Sequence, residues 1–158
     1  MTGKVNAHLA YHLISSCSLT DHPDRDLVLI RKCNLPLKVI CFIWLCLSNR
    51  INTWDNLLQK SWIGPNRCNL CYCEAESVNH LFTDCMFTKN VICGLNTVLH
   101  HPVIWNEPTY LQNLVNWLSG EKELLHLPLL MTWKIWTTRN KVIFRNASQS
   151  WTSLFITF

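Results

Sequence analysis

A chain of 158 residues is long enough for one hydrophobic core and short for two, and with 49% apolar and 15% charged residues it is no disordered segment. The formal charge of +4 permits contact with nucleic acid without marking it, and the longest apolar run, Val39 to Leu47, is far short of the roughly 20 residues that span a bilayer. Nine cysteines, an odd number with Cys17, Cys33, Cys41, Cys46 and Cys93 scattered, form no spaced disulfide framework; with an N-terminus that does not read as a signal peptide, they predict a reducing compartment, cytosol or nucleus, and no membrane partner.

Val5, Leu9, His12, Leu13 and Cys17 recur at near-helical spacing and predict an amphipathic helix over about Asn6 to Ser16, with His8 and His12 on one of its faces. Thr20 to Asp26 is a polar, proline-containing loop, and Leu27 to Ile30 reads equally as a strand or a helix start. After Pro36, Val39, Phe42, Ile43 and Cys46 repeat at helical spacing, so the helix from Leu37 to Ser48 is predicted to be the most buried in the chain. Asn52 or Thr53 then caps a helix to about Ser61 with Trp54, Leu57 and Leu58 inward, ended by Gly64-Pro65-Asn66.

The stretch from Arg67 to Cys85 places four soft-metal ligands in a span too short for a core of its own. Cys68 and Cys71 have the spacing of a knuckle that turns both thiolates to one ion, and His80 and Cys85 complete a tetrahedral Cys3His zinc site. Cys73 is ranked a non-ligand, because a knuckle uses the pair spaced by two. On one unbroken α-helix His80 and Cys85 would stand about 140° apart. A break is therefore expected at Thr83 and Asp84, both good N-caps, between a short helix from Ser77 and a second helix starting near Cys85.

That second helix is predicted to reach about Leu99 with Phe87, Val91, Leu95 and Val98 on one face, ended by His100, His101 and Pro102. Pro108 opens another, with Leu111, Leu114, Val115 and Leu118 inward and Gly120 as its stop. The last runs from about Leu124 to Arg145, with Leu129, Trp133, Trp136 and Ile143 on one side, Lys134, Lys141 and Arg145 on the other, and Arg139 flanking the basic stripe. The apolar tail Ser150 to Phe158 stops abruptly, as though inside a longer protein. The fold class is mainly α, a small helical domain stapled by one structural zinc.

Catalysis finds little support. Ten acidic residues include no Asp-Asp pair of the kind that holds polymerase cations, and no nuclease carboxylate set. Four glycines form no phosphate loop, which leaves no small-molecule substrate in view. Glu74 and Glu76 lie near the predicted zinc, but deaminases place Glu two residues after the His and the Cys pair after both, the reverse of the order here.

The combination Cys68, Cys71, Glu76, Ser77, His80, Leu81, Phe82 and Cys85 resembles the zinc-binding domain of plant non-LTR retrotransposon reverse transcriptases. Upstream, Leu35-Pro36-Leu37-Lys38-Val39 with Phe42-Ile43-Trp44, and Thr53 to Leu57, resemble that family's segments; downstream, Trp136, Arg139-Asn140 and Phe144 resemble the segment that precedes its ribonuclease H domain. Departures at Met86 and Ile92 touch packing rather than ligation. The resemblance implies a zinc-binding domain over 1–100 with a helical extension over 101–158, without the polymerase or ribonuclease H domains. It implies a non-catalytic module whose Arg67, Lys89, Lys134, Arg139, Lys141 and Arg145 touch RNA or DNA phosphates; the alternatives are a scaffold for other retroelement-derived domains and a functionless remnant.

Overall fold

The structure of the chain, a computed structural model, describes residues 30, 33–99, 102–120 and 124–145. The helix expected over Asn6 to Ser16, the loop Thr20 to Asp26, the His100-His101 pair and the tail from Ser150 lie outside the described residues. Among the described residues there are helices and no strand: α1 (Leu37–Leu47), α2 (Trp54–Gln59), a π-helical turn (His80–Asp84), α3 (Met86–Val98), α4 (Tyr110–Gly120) and α5 (Leu127–Arg145). No helix among them is long and apolar enough to cross a membrane.

Helix α1 starts at Pro36, whose ring suits the N-cap, and buries Val39, Phe42, Ile43, Trp44 and Cys46. Its end is sealed by the Ser48 hydroxyl, which donates to the Trp44 carbonyl at 2.9 Å, and by Asn49 in the left-handed region at φ 51. The turn that follows explains why α2 departs from the expected face. Asn56 donates its amide to the carbonyls of Asn49 (2.8 Å) and Ile51 (2.9 Å), so the buried residue of α2 is Asn56. Trp54 and Leu57 are half-buried, Leu58 is exposed, and the helix ends at Gln59 rather than Ser61. Beyond it, a Cβ at Gly64 would lie 2.7 Å from the Trp54 ring, so any larger residue there makes the ring or the loop shift.

Helix α3 buries Phe87, Val91 and Leu95 as expected, whereas Val98 is exposed at its last turn. Helix α4 is started from outside: Asn79 accepts the Tyr110 N–H at 3.1 Å, and buried Asn113 receives the Glu107 N–H. Helix α5 begins at Leu127, three residues later than expected, and buries Leu129, Met131, Thr132, Ile135, Thr138 and Arg139. Trp133, Trp136 and Ile143 are only half-buried, and Phe42 of α1 packs against both tryptophans at 5.2 and 5.6 Å between ring centres. One hydrophobic cluster runs from Ile30 to Ile135 and takes side chains from both sides of residue 100.

Candidate metal centre

Two local structures present the four predicted ligands. The first is the knuckle, where the Tyr72 N–H donates to the Cys68 carbonyl at 2.9 Å and the Cys68 N–H to the Glu74 carbonyl at 2.8 Å, curling the chain so that both thiols share one side. The second is the π turn. The chain widens through Thr83 and Asp84 and breaks one residue later than expected, at Cys85: the Cys85 N–H donates to the His80 carbonyl at 2.7 Å, an i to i+5 bond that brings Cys85 back toward His80. Neither Thr83 nor Asp84 acts as a cap, since the N-cap of α3 is Cys85 itself, in extended conformation. The turn is secured by the Leu81 carbonyl, which accepts from the Thr88 hydroxyl at 2.6 Å, and the Phe82 carbonyl, which accepts from the Trp105 indole at 2.9 Å.

The ligand atoms of Cys68, Cys71, His80 and Cys85 all lie within 4.8 Å of one another. Cys68 Sγ is 3.8 Å from Cys85 Sγ, and Cys71 Sγ is 3.3 Å from His80 Nε2. A tetrahedral ion with bonds of about 2.3 Å to sulfur and 2.0 Å to nitrogen needs S to S edges of about 3.8 Å and S to N edges of about 3.5 Å, which these two separations match to about 0.2 Å, and the 4.8 Å span of the group exceeds such an edge by about 1 Å. Cys73 is exposed and turns its thiol to the Cys71 carbonyl at 3.1 Å, away from the group.

The four donors stand close enough to shift one another's titration. A hydrogen bond from Cys85 draws the Cys68 thiol down to about 4 against the opposing effect of burial. Cys85 is pushed up, first by its bond to Cys68 and then by burial, and His80 is raised to about 9, chiefly by hydrogen bonding to Cys68. His80 Nε2 faces the sulfurs, while Nδ1 lies 3.3 Å from Glu74 Oε2, out of line for a hydrogen bond. Metal-ligating histidines commonly donate the second ring N–H to a carboxylate, and Glu74 is the carboxylate beside that nitrogen here.

Glu76 is the residue whose role sequence reasoning missed. Its side chain is fully buried and meets Arg139 of α5 in a two-pronged pair, Arg139 Nη2 to Oε1 at 2.6 Å and Nε to Oε2 at 3.2 Å. Oε1 also receives the Trp54 N–H, so the same carboxylate starts α2. Arg139, at 3% exposure and stacked on Trp136 at 4.8 Å, is therefore withdrawn from the phosphate-contacting set: its guanidinium is spent inside the fold. Both residues lie in segments that carry the family resemblance, yet nothing in their types signals that they meet. Of the other predicted contacts, Arg67, Lys89, Lys141 and Arg145 are exposed and Lys134 is half-buried.

A family model described as zinc-binding in reverse transcriptase matches residues 6–91. No curated protein matches the chain, and no solved structure does.

Proposed function

Because this chain belongs to the family of zinc-binding domains of reverse transcriptases, we propose that it is a non-catalytic module from a plant non-LTR retrotransposon reverse transcriptase, in which one structural zinc fixes a helical scaffold that contacts RNA or DNA. The four convergent ligands carry this reading. Four protein donors leave no open position for a polarised water, the mark of a structural rather than a catalytic zinc. The bound ion would supply cross-linking of the knuckle to the π turn; three thiolates keep that capacity only in a reducing compartment.

Nucleic-acid contact is supported by the exposed cations Arg67, Lys89, Lys141 and Arg145, with Lys134 on the same stripe of α5 as the last two. The test is a metal assay on the purified chain followed by RNA and DNA titrations at two salt concentrations. One zinc per chain is expected, lost in Cys71→Ser and kept in Cys73→Ser, with affinity that falls as salt rises. The opposite pattern in the two cysteine variants overturns the ligand set.

A second reading, a scaffold for other retroelement-derived domains, is favoured by Trp62 and Ile63, which stand 63% and 98% exposed between α2 and the knuckle. Association that depends on protein concentration, without nucleic-acid affinity, would select it.

A further inference from the structure

We infer that Tyr72 and Arg67 form a seat for one unpaired base and its phosphate, on which a single-stranded nucleic acid stacks; this rests on the nucleic-acid reading above and gives it a location. Tyr72 directly follows the ligand Cys71 and has φ 57, a left-handed conformation that suits glycine and is costly for a bulky residue. Its ring is nonetheless turned to solvent, with the residue 46% exposed. Arg67 holds it there. The Arg67 Nε donates to the Tyr72 carbonyl at 2.6 Å, and the guanidinium lies 5.3 Å from the ring centre.

An aromatic ring fixed at the surface by a metal loop loses little freedom when a base stacks on it, and every base offers a face for such stacking. Arg67, with Nε committed, keeps its Nη donors for the phosphate beside that base. Lys89, one turn after the ligand Cys85, is a further exposed cation. Three thiolates around a divalent ion leave a net negative charge that Arg67 and Lys89 would also balance, but charge balance makes no use of an exposed ring.

The decisive comparison uses the zinc-loaded full chain and labelled single-stranded uridine and thymidine homopolymers, followed by fluorescence anisotropy. Tyr72→Gly suits the left-handed backbone, so the variant keeps its fold and zinc. It should weaken binding about 5- to 150-fold with the salt slope unchanged. Tyr72→Phe should bind like the parent, and Arg67→Ala should lower the slope of log affinity against log salt by about 0.7. A stronger effect on one homopolymer tells RNA from DNA. A parent that binds with salt dependence while Tyr72→Gly binds as tightly overturns the seat and leaves the nucleic-acid reading standing. A parent that binds duplex alone does the same, and a parent that binds no nucleic acid overturns both.

Discussion

Replacing Arg139 with Met should be among the most damaging single changes away from the metal ligands. The Glu76 and Arg139 side chains are 0% and 4% exposed, and their closest atoms are 2.6 Å apart. Methionine keeps much of the stem's volume and its packing on Trp136 but leaves the Glu76 carboxylate buried without its counter-charge. Breaking a buried pair in this one-sided way costs about 3–5 kcal/mol. Against a total stability of about 5–15 kcal/mol for a domain, that is a large share, and it corresponds to a fall in Tm of about 6–20 °C at this chain length. Urea and thermal unfolding of the zinc-loaded protein would measure it. The double variant Glu76→Gln with Arg139→Met should recover most of the loss, since no charge remains buried and the glutamine oxygen still accepts the Trp54 N–H. A loss below about 1 kcal/mol for Arg139→Met, the range of an exposed pair, would refute the reasoning.

Metal affinity should fall steeply with acid. In the metal-free fold His80, raised to about 9, is protonated at neutral pH, so its contribution to metal-free stability is full below the ordinary histidine value and fades as pH rises through about 9. Metal requires the neutral imidazole and a deprotonated Cys85, so loading runs the other way and expels protons, and affinity in chelator competition should rise with pH; a flat profile between pH 6 and 8 would contradict this. Gly64→Ala should cost about 1–3 kcal/mol in denaturant unfolding, because the new methyl meets the Trp54 ring at 2.7 and 2.8 Å. Replacing Lys134, Lys141 and Arg145 together with Ala should reduce the salt slope of nucleic-acid binding by about 0.7 to 0.9 for each of these cations that neutralises a phosphate, with zinc content unchanged; parent-like binding at every salt concentration would return that stripe to solvent.

The Cys3His cluster was legible in the sequence because its four donors fall between Cys68 and Cys85, where spacing alone limits geometry. The device that joins His80 to Cys85 was not legible. A π turn differs from an α turn by one hydrogen-bond register, and what selects it here includes Thr88 and Trp105, whose side chains reach back to the turn's carbonyls. The long amphipathic helices were legible to within a few residues, since each buries several apolar side chains on one face. Short α2 was legible in position, with Thr53 as its N-cap, but not in its inward face, because six residues make less than two turns and one polar side chain, Asn56, outweighed the leucines by closing the preceding turn. Arg139 was misread for a related reason: a cation beside a basic stripe looks solvated until a carboxylate 63 positions away is seen to be buried against it.

The two ties that converge on the knuckle mature at different moments of synthesis. His80 and Cys85 follow Glu76 within a few positions, whereas Arg139 follows it by 63. Arg139 follows Cys85, the last of the four donors, by 54 positions, so at roughly 5–20 residues per second there is an interval of about 3–11 s in which the ligand set is complete and Glu76 lacks its counter-charge. During it the carboxylate stays hydrated and the hydrophobic cluster stays open on the side that α5 will cover. If the cluster takes up a metal ion, capture would thereby be the early event on the ribosome and charge burial the late one, and a nascent chain starved of that ion would reach the arrival of α5 with its knuckle not yet cross-linked to the π turn.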